Sequence, residues 1–428
     1  MLCQWGINVT LDIYTLNTYI LVMIDILIKR GKVVALSNGL GRGYNIDLYI
    51  KDGCDIAIKD GMILDVAKNI MEDSERVIDA NGNVVMPGFI DAHTHALFGG
   101  TRVDEFEMKI KGLTYKDIMH KGGGILNTVE KTRSLTEDDM IDILKKNLKR
   151  MSETGTTTVE VKSGYGLDLK TELSMLNAMR KFREDFIDIV PTYMGAHEFP
   201  PGKSRQKYIN EIIEEHLPLV VNNNLAEFCD VFCEDGVYGK EEARRILTKA
   251  KELKLGLKVH ADELKESGGA ELAGEIGSIS AEHLIYPSDK GLELMSKSEV
   301  IAIMLPATSF ILSSDKPPVG RLRENGIPMA LGSDFNPGSS PVYSMPLVLG
   351  FACYHYGMSV EEAIAGSTIN AAYALNRADR VGSIEKGKMA DLLILDYKDI
   401  RELPYWLGSN PVKVSLKRGR ICFERESC

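Results

Sequence analysis

Eight short runs rich in β-branched and apolar residues recur between about residue 84 and residue 335, separated by amphipathic stretches with helical spacing. They are Val84–Ala92, Thr157–Lys162, Ile187–Gly195, Phe228–Glu234, Leu257–Ala261, Ser278–Leu284, Val300–Pro306 and Pro328–Gly332. Strand-like runs that alternate with helical patterns predict repeated βα units and a parallel sheet. Eight such units close naturally into a (β/α)8 TIM-like barrel, whose working face is the C-terminal end of the strands. The competing α/β arrangement is an open doubly wound sheet, but no Gly-x-Gly-x-x-Gly fingerprint follows the first run.

The chain on either side reads differently. Residues 23–83 and about 381–428 hold short alternating strands with turn signals at Lys59-Asp60-Gly61, Asn81-Gly82 and Lys386-Gly387. These flanks are expected to form one small β-sandwich domain together, leaving residues 84–380 for the barrel. The apolar run Ile20–Ile28 is short and carries Asp25, whereas a membrane span needs about 20 apolar residues, so it reads as a buried strand. No basic region and small-residue cleavage site precede it, so a secretory signal is not expected. Met23 followed by a strand is a plausible natural start, which would leave residues 1–22 as an upstream extension. Leu97 to Thr136 is a long crossing that contains Gly122-Gly123-Gly124; a loop of that length is expected to lie over the active face.

A net charge of −10 argues against a nucleic-acid or anionic-membrane partner and favours a small-molecule one. Seven scattered cysteines do not resemble the staples of a secreted fold, so a reducing cytoplasm fits best. Cys229 and Cys233 have no second pair to complete a metal site and are read as alternating inward positions of a strand.

Chemistry collects where the eight runs end. The first ends in His93-Thr94-His95, and alternation along a strand turns both imidazoles the same way. Taken alone, that pair is equally well explained as two core or loop histidines. The second run ends in Lys162-Ser163-Gly164-Tyr165, the third in His197-Glu198, the fifth in His260-Ala261-Asp262-Glu263, the sixth in Glu282-His283 and the eighth in Ser333-Asp334-Phe335-Asn336. Five of the eight histidines therefore fall at one end of the expected barrel. Three imidazoles and one carboxylate from different strands suit a zinc or iron ion with a position left for water, which gives His93, His95, His260 and Asp334 as the ligand set. His120, His216 and His355 are read as ordinary surface or core residues.

Pro87-Gly88-Phe89-Ile90-Asp91-Ala92-His93-Thr94-His95, the later His260 and Ser333-Asp334, and the closing Gly382-Ser383-Ile384-Glu385-Lys386-Gly387-Lys388-Met389-Ala390-Asp391-Leu392 resemble the amidohydrolase superfamily. Within it the chain is similar to the imidazolonepropionase family of histidine degradation. That narrower resemblance rests on Phe98–Arg102, Glu160–Leu167, Met194–Glu198, Val259–Glu263 and Gly332–Gly338, in this order. It implies opening of the cyclic amide of 4-imidazolone-5-propanoate to N-formimidoyl-L-glutamate, with one zinc or iron ion on the four residues already grouped. It also implies a homodimer. The substrate contacts it carries over are Arg102, Tyr115, Tyr165, His197, Glu263, Asn336, Gly338 and Ser339. Arg102 makes physical sense, since a planar guanidinium pairs bidentately with a propionate carboxylate. Lys162 is expected to be a buried strand-end lysine hydrogen-bonded for structure, because the resemblance is to a mononuclear member.

The mechanism so implied uses metal-activated water, with Asp334, His283 and Glu263 dividing the proton transfers. His283 can also stabilise the oxyanion. Two other readings stay open at this point. A deaminase of a purine or pyrimidine could use the same ligands with His260-x-x-Glu263, and a non-catalytic barrel scaffold is the second.

Overall fold

The computed structural model describes residues 23–426 except 37–38, 44 and 114–122. Tyr115 and the proposed extension 1–22 lie outside the described residues.

The flanking sheet begins with a long strand, β1 (Ile24–Leu36), followed by β2 (Leu48–Lys59), β3 (Met62–Ala67), β4 (Ser74–Asp79) and β5 (Val84–Pro87). The β2–β3 hairpin forms where the turn signal stood. Asp60 and Gly61 both take positive φ, 51° and 77°, the backbone that a two-residue hairpin needs to match strand twist. One edge of β1 is shared between β4, beside Ile24–Lys29, and β5, beside Lys32 and Val33; the other edge pairs antiparallel with β2.

The barrel strands follow as β6 (Phe89–Asp91), β7 (Thr156–Lys162), β8 (Asp188–Ala196), β9 (Phe228–Cys233), β10 (Gly256–Ala261), β11 (Ser280–His283), β12 (Ile301–Met304) and β13 (Met329–Leu331). All seven neighbouring pairs run parallel, in chain order. The ring closes through backbone hydrogen bonds from Ala92 N to Leu331 O, Asp334 N to His93 O and His95 N to Phe335 O. The expected (β/α)8 barrel is therefore present, with each of the eight runs supplying a strand. Three further strands, β14 (Leu392–Leu395), β15 (Val412–Lys417) and β16 (Arg420–Glu424), return to the flanking sheet, whose order is β16-β15-β14-β5-β1-β2-β3. Among the described residues no helix is long and apolar enough to cross a membrane.

Two expectations need correction. The run Val84–Ala92 is two strands, not one: β5 belongs to the flanking sheet and β6 to the barrel. Gly88 is the joint, and a Cβ there would stand 2.4 Å from the Thr157 side chain, so only glycine lets the chain pass from one sheet to the other. The crossing from Leu97 to Thr136 is likewise no bare loop, since it contains helices Val103–Ile110 and Ile125–Arg133. Glycines at 99–100 and 122–124 precede these helices with loop signals and mask them in the sequence. Thr136 then caps helix Glu137–Glu153 in a reciprocal capping box with Asp139, and Met140, Leu144, Leu148 and Met151 turn its apolar face to the barrel.

Cys229 and Cys233 are buried and free. They alternate with Asp230 and Phe232, which face His260, so the cysteines point to the helical layer and not to the barrel axis.

Candidate metal centre

Beyond β6 the alternation continues through Asp91, His93 and His95. Asp91 is buried and accepts hydrogen bonds from Ser333 N (2.9 Å) and Ser333 Oγ (2.5 Å), which ties the first barrel strand to the last. Burial pushes its carboxyl up to about 7 against those bonds. The tie sets Asp334 opposite the histidines. Its Oδ1 lies 3.5 Å from His93 Nε2 and 3.7 Å from His95 Nε2, while its Oδ2 accepts from Thr308 Oγ1 at 2.7 Å.

His260 enters from β10 with its ring centroid 4.6 Å from that of His93 and 5.6 Å from that of His95. His283, at the end of β11, completes a ring of buried imidazoles and places Nε2 3.6 Å from Glu263 Oε2. Besides Asp230, His260 and Glu282 in the layer below, two groupings at the mouth have ligand atoms within 4.8 Å of one another and could hold an ion: His93, His95 and Asp334, and His93, His260 and His283. His93 belongs to both. The four expected ligands converge without all four meeting that spacing together.

The donor set fits a divalent metal ion. His93 Nε2 and His260 Nε2 are buried without a hydrogen-bond partner among the described residues, a costly state that an ion held between the rings would relieve. Burial, and then the neighbouring positive charges, hold His93 and His95 far below the ordinary histidine range, so they present neutral ring nitrogens. Asp262, His283 and Asp334 all take positive φ, 51°, 67° and 52°, a conformation that is rare for non-glycine residues and concentrates at functional sites.

Beneath the imidazoles lies a charged cluster. Lys162 Nζ sits 2.6 Å from Asp230 Oδ2 and 2.9 Å from Glu160 Oε2; Lys258 Nζ sits 3.1 Å from Glu160 Oε1 and 3.9 Å from Glu282 Oε1. His260 Nδ1 is 3.0 Å from Asp230, out of line for a hydrogen bond, and 3.4 Å from Glu282. Burial works against ionisation here, yet Asp230 and Glu160 hold Lys162 above the usual lysine range. Burial likewise opposes His260, and Asp230 and Glu282 outweigh it, pushing the imidazole up to about 10. Lys162 is thus buried at the strand end and paired with Asp230 and Glu160, in line with what the resemblance to a mononuclear member implies.

The remaining expected site residues surround this centre. His197 stacks on His95 at 4.9 Å and 19°, with Nδ1 3.1 Å from Gly164 O. Burial, and then the charge of His260, lower it to about 3. Tyr165 is buried 5.8 Å from the His95 ring and 5.5 Å from the His197 ring. Arg102 donates from Nε to Thr128 Oγ1 at 2.9 Å, and its guanidinium lies so close to Gly338 that a Cβ there would stand 2.1 Å from Nη1. Asn336 Oδ1 accepts from Gly338 N and Ser339 N at 2.8 Å, and Asn336 Nδ2 donates to Asp334 O and to Ser339 Oγ. The loop from Asp334 to Ser339 is therefore shaped by Asn336 and presents Gly338 to Arg102. A cavity of about 840 Å³ opens at Arg102, Phe106, Asn336, Gly338 and Tyr343; the expected metal ligands do not line it.

The sequence analysis passed over Thr308, Asp230 and Lys258, and it met Glu282 at a strand end and Glu160 in a motif without giving either a role. A signal for three of them was present: Glu160, Lys258 and Ser280-Ala281-Glu282 put polar side chains inside otherwise apolar strands, two positions from Lys162, His260 or each other.

The model of the amidohydrolase family matches residues 84–422. An imidazolonepropionase of Clostridium tetani is 45% identical over 417 residues, covering 94% of this chain and 99% of the relative. An imidazolonepropionase of Porphyromonas gingivalis is 42% identical, covering 96% and 98%. Among solved structures, a 5-methylcytosine deaminase of Klebsiella pneumoniae has a TM-score of 0.70 at 16% identity over 94% of this chain and 98% of its own. An adenosine deaminase of Xanthomonas campestris with bound zinc has 0.68 at 17%, covering 94% and 93%. These two share the fold alone. The strand order, the histidines at one barrel face and the end-to-end sequence likeness agree, and the chain belongs to the amidohydrolase family as a close relative of the imidazolonepropionases.

Proposed function

We propose that this chain hydrolyses the cyclic amide of 4-imidazolone-5-propanoate to N-formimidoyl-L-glutamate. Its likeness to relatives of that name along nearly their whole length supports the reaction. The observation that carries the reading is the placement of Arg102 against the Asp334–Ser339 loop, with its charge acting on Tyr165 and His197 beside the imidazoles. One face then offers a guanidinium for the propionate and an ion site for the lactam. A purine or pyrimidine carries no such carboxylate.

The ion would be one zinc or iron on His93, His95, His260 and Asp334, since imidazole and carboxylate donors suit either. When bound, it supplies Lewis acidity that brings the pKa of a water into the physiological range. The side chains do the rest. Hydrolysis adds a hydroxyl to the lactam carbonyl carbon and a proton to the departing ring nitrogen.

Burial pushes the Asp334 carboxyl up to about 6, so at neutral pH it is ionised and can accept a proton from water, while the Thr308 hydroxyl fixes its Oδ2. Burial and the charge of Asp334 push Glu263 up to about 8, so its carboxyl holds a proton at neutral pH and can deliver it to the ring nitrogen. His283, neutral through burial and within reach of Glu263, relays that proton or donates a hydrogen bond to the developing oxyanion. Arg102, whose Nε is engaged by Thr128, keeps its two terminal nitrogens for the propionate. Tyr165, His197, Asn336, Gly338, Ser339 and, from the resemblance, Tyr115 complete the substrate contacts.

The same reading takes residues 23–83 with 381–428 as a composite β-domain and 84–380 as the catalytic barrel. It takes the working form as a homodimer, as the resemblance implies, and as cytoplasmic with no nucleic-acid partner, which the scattered free cysteines and the acidic charge support. The test is the ultraviolet decay of imidazolonepropanoate with purified protein, before and after chelation, with elemental analysis. Decay that stops on chelation and returns with one equivalent of zinc or iron is expected. No decay in metal-replete protein, or ammonia release from cytosine or guanine, overturns the reading.

A further inference from the structure

Two turns at the barrel mouth hang from buried carboxylates that the mechanism does not use. Glu172, in the first turn of helix Leu169–Lys181, is fully buried. Its Oε2 accepts from Gly164 N at 3.0 Å, and its Oε1 from Gly166 N at 2.8 Å and Leu167 N at 3.0 Å. Those three amides belong to the turn that follows β7 and carries Tyr165. The turn takes positive φ at Gly164 (105°) and Leu167 (51°), which removes it from any strand ladder, and the carboxylate replaces the missing acceptors. Gly164 also offers its carbonyl to His197 Nδ1 at 3.1 Å. A Cβ at Gly166 would stand 2.8 Å from Glu172 Oε1, so the close approach requires glycine there.

The second case lies across the mouth. Glu234, next after β9, is buried and accepts through Oε2 from Glu263 N and Leu264 N, both at 2.9 Å, and through Oε1 from the Ser267 hydroxyl. Asp262 holds the far side of the same turn by accepting from Ser267 N, Gly269 N and Ala270 N at 2.7–3.0 Å.

We infer that Glu172 and Glu234 are positioning residues that aim separate halves of the site: Glu172 sets Tyr165 and His197 for substrate binding, and Glu234 sets Glu263 for proton delivery. The inference rests on the roles given to Tyr165, His197 and Glu263 under the proposed function. Neither carboxylate reaches the ring of imidazoles itself. Each acts through ionic hydrogen bonds to backbone N–H groups, which are about twice as strong as neutral ones and leave buried donors unpaired when lost. A glutamine at 172 must turn an NH2 toward a backbone N–H, and so must one at 234, where Glu234 Oε1 also accepts from Asp235 N at 3.2 Å, so the turn shifts while the side chain keeps its volume.

The experiment measures kcat and KM for imidazolonepropanoate, with metal content and Tm, in Glu172→Gln and Glu234→Gln, using Tyr165→Phe and Glu263→Gln as references. Glu172→Gln is expected to raise KM about tenfold or more with kcat within about twofold, and Glu234→Gln to lower kcat by a similar factor with KM little changed, the scale expected for misplacement by a fraction of an ångström to an ångström. Lower Tm with wild-type kinetics in both variants, or the same loss of both parameters in both, overturns the inference. Should Glu172→Gln not fold, Gly166→Ala must give the same rise in KM; should Glu234→Gln not fold, Ser267→Ala must give a smaller fall in kcat. The absence of either effect also counts against it. If Tyr165→Phe and Glu263→Gln are themselves unimpaired, the proposed roles fail; if they are impaired while the two glutamine variants are not, the inference fails alone.

Discussion

Inside the barrel, below the imidazoles, Glu160, Lys162, Asp230, Lys258 and Glu282 have no exposed surface; in the flanking sheet the inward positions are Ile28, Val33, Ile56, Ile58, Val85 and Leu416. Both regions exclude water, and only one is built from apolar groups. Apolar burial is favourable at about 25 cal/mol per Å² and asks nothing of geometry. A buried ionic cluster is at best close to neutral against a well-packed hydrophobic one, because the desolvation of each charge offsets its pairing. The flanking sheet therefore does what stability requires. The barrel interior forgoes that gain, and the compensating return is a rigid floor of fixed charge under His260 and the ion site.

The comparison breaks first at Asp334. Asp334→Asn keeps the volume and the Thr308 contact but loses the negative charge between His93 and His95, so turnover is expected to fall by about 10²–10⁴, the range for removing a general base, with Tm little changed. Steady-state rates in metal-replete protein check it; a near-normal rate would refute the role given to Asp334.

Next is Lys162→Met. It leaves Asp230 and Glu160 facing each other without their ammonium, and removing one member of a buried pair costs about 3–5 kcal/mol. Denaturant unfolding reads that loss, and metal content should fall with it, because Asp230 is also the neighbour of His260 Nδ1. The matching change in the other region, Ile56→Ala, is expected to cost about 2–4 kcal/mol by deleting a fully buried side chain, with kcat, KM and metal content unchanged. If Ile56→Ala impairs catalysis as strongly as Lys162→Met, the two regions are not separable in the way the burial pattern implies.

How much of this was open to inspection in the residue order depends on distance along the chain. The barrel and the centre were legible because each strand announces itself by β-branched runs and each ligand stands at a run's end: His93, His95, His260, His283 and Asp334 needed no knowledge of contacts. What was hidden arises between strands. Asp230 reads as one acid in an apolar run until β7 and β10 bring Lys162 and His260 to it. Thr308 is an unremarked hydroxyl until β12 pairs with β13 and sets it on Asp334. Glu172 and Glu234 resemble any helix-start or strand-end acid, since the amides they hold are backbone and leave no mark in side-chain chemistry. Gly88 is the opposite case, a visible glycine whose meaning depends on Thr157 in the next strand.

The weakest test lies on the seam between the two regions. Lys417, buried on β15 of the flanking sheet, reaches Asp188 Oδ2 at 2.8 Å at the start of barrel strand β8, and Asp391 holds the same ammonium from the other side. Burial opposes ionisation of Asp188, but Lys417 and then Arg418 outweigh it and hold the carboxyl below its usual range. A depressed folded-state pKa stabilises the native form above the unfolded value near 3.9 and loses that contribution as the pH falls through the folded one. Asp188 is a third exposed, so solvent screening limits the pair to about 1 kcal/mol or less. Asp188→Asn should therefore lower stability slightly at pH 7, with the gap to the unmodified chain closing as the pH drops below about 4. Urea midpoints at pH 7 and pH 3.5 measure it. A gap that stays constant between the two would mean that Asp188 joins the regions by packing, and that the charge on Lys417 is balanced by Asp391 alone.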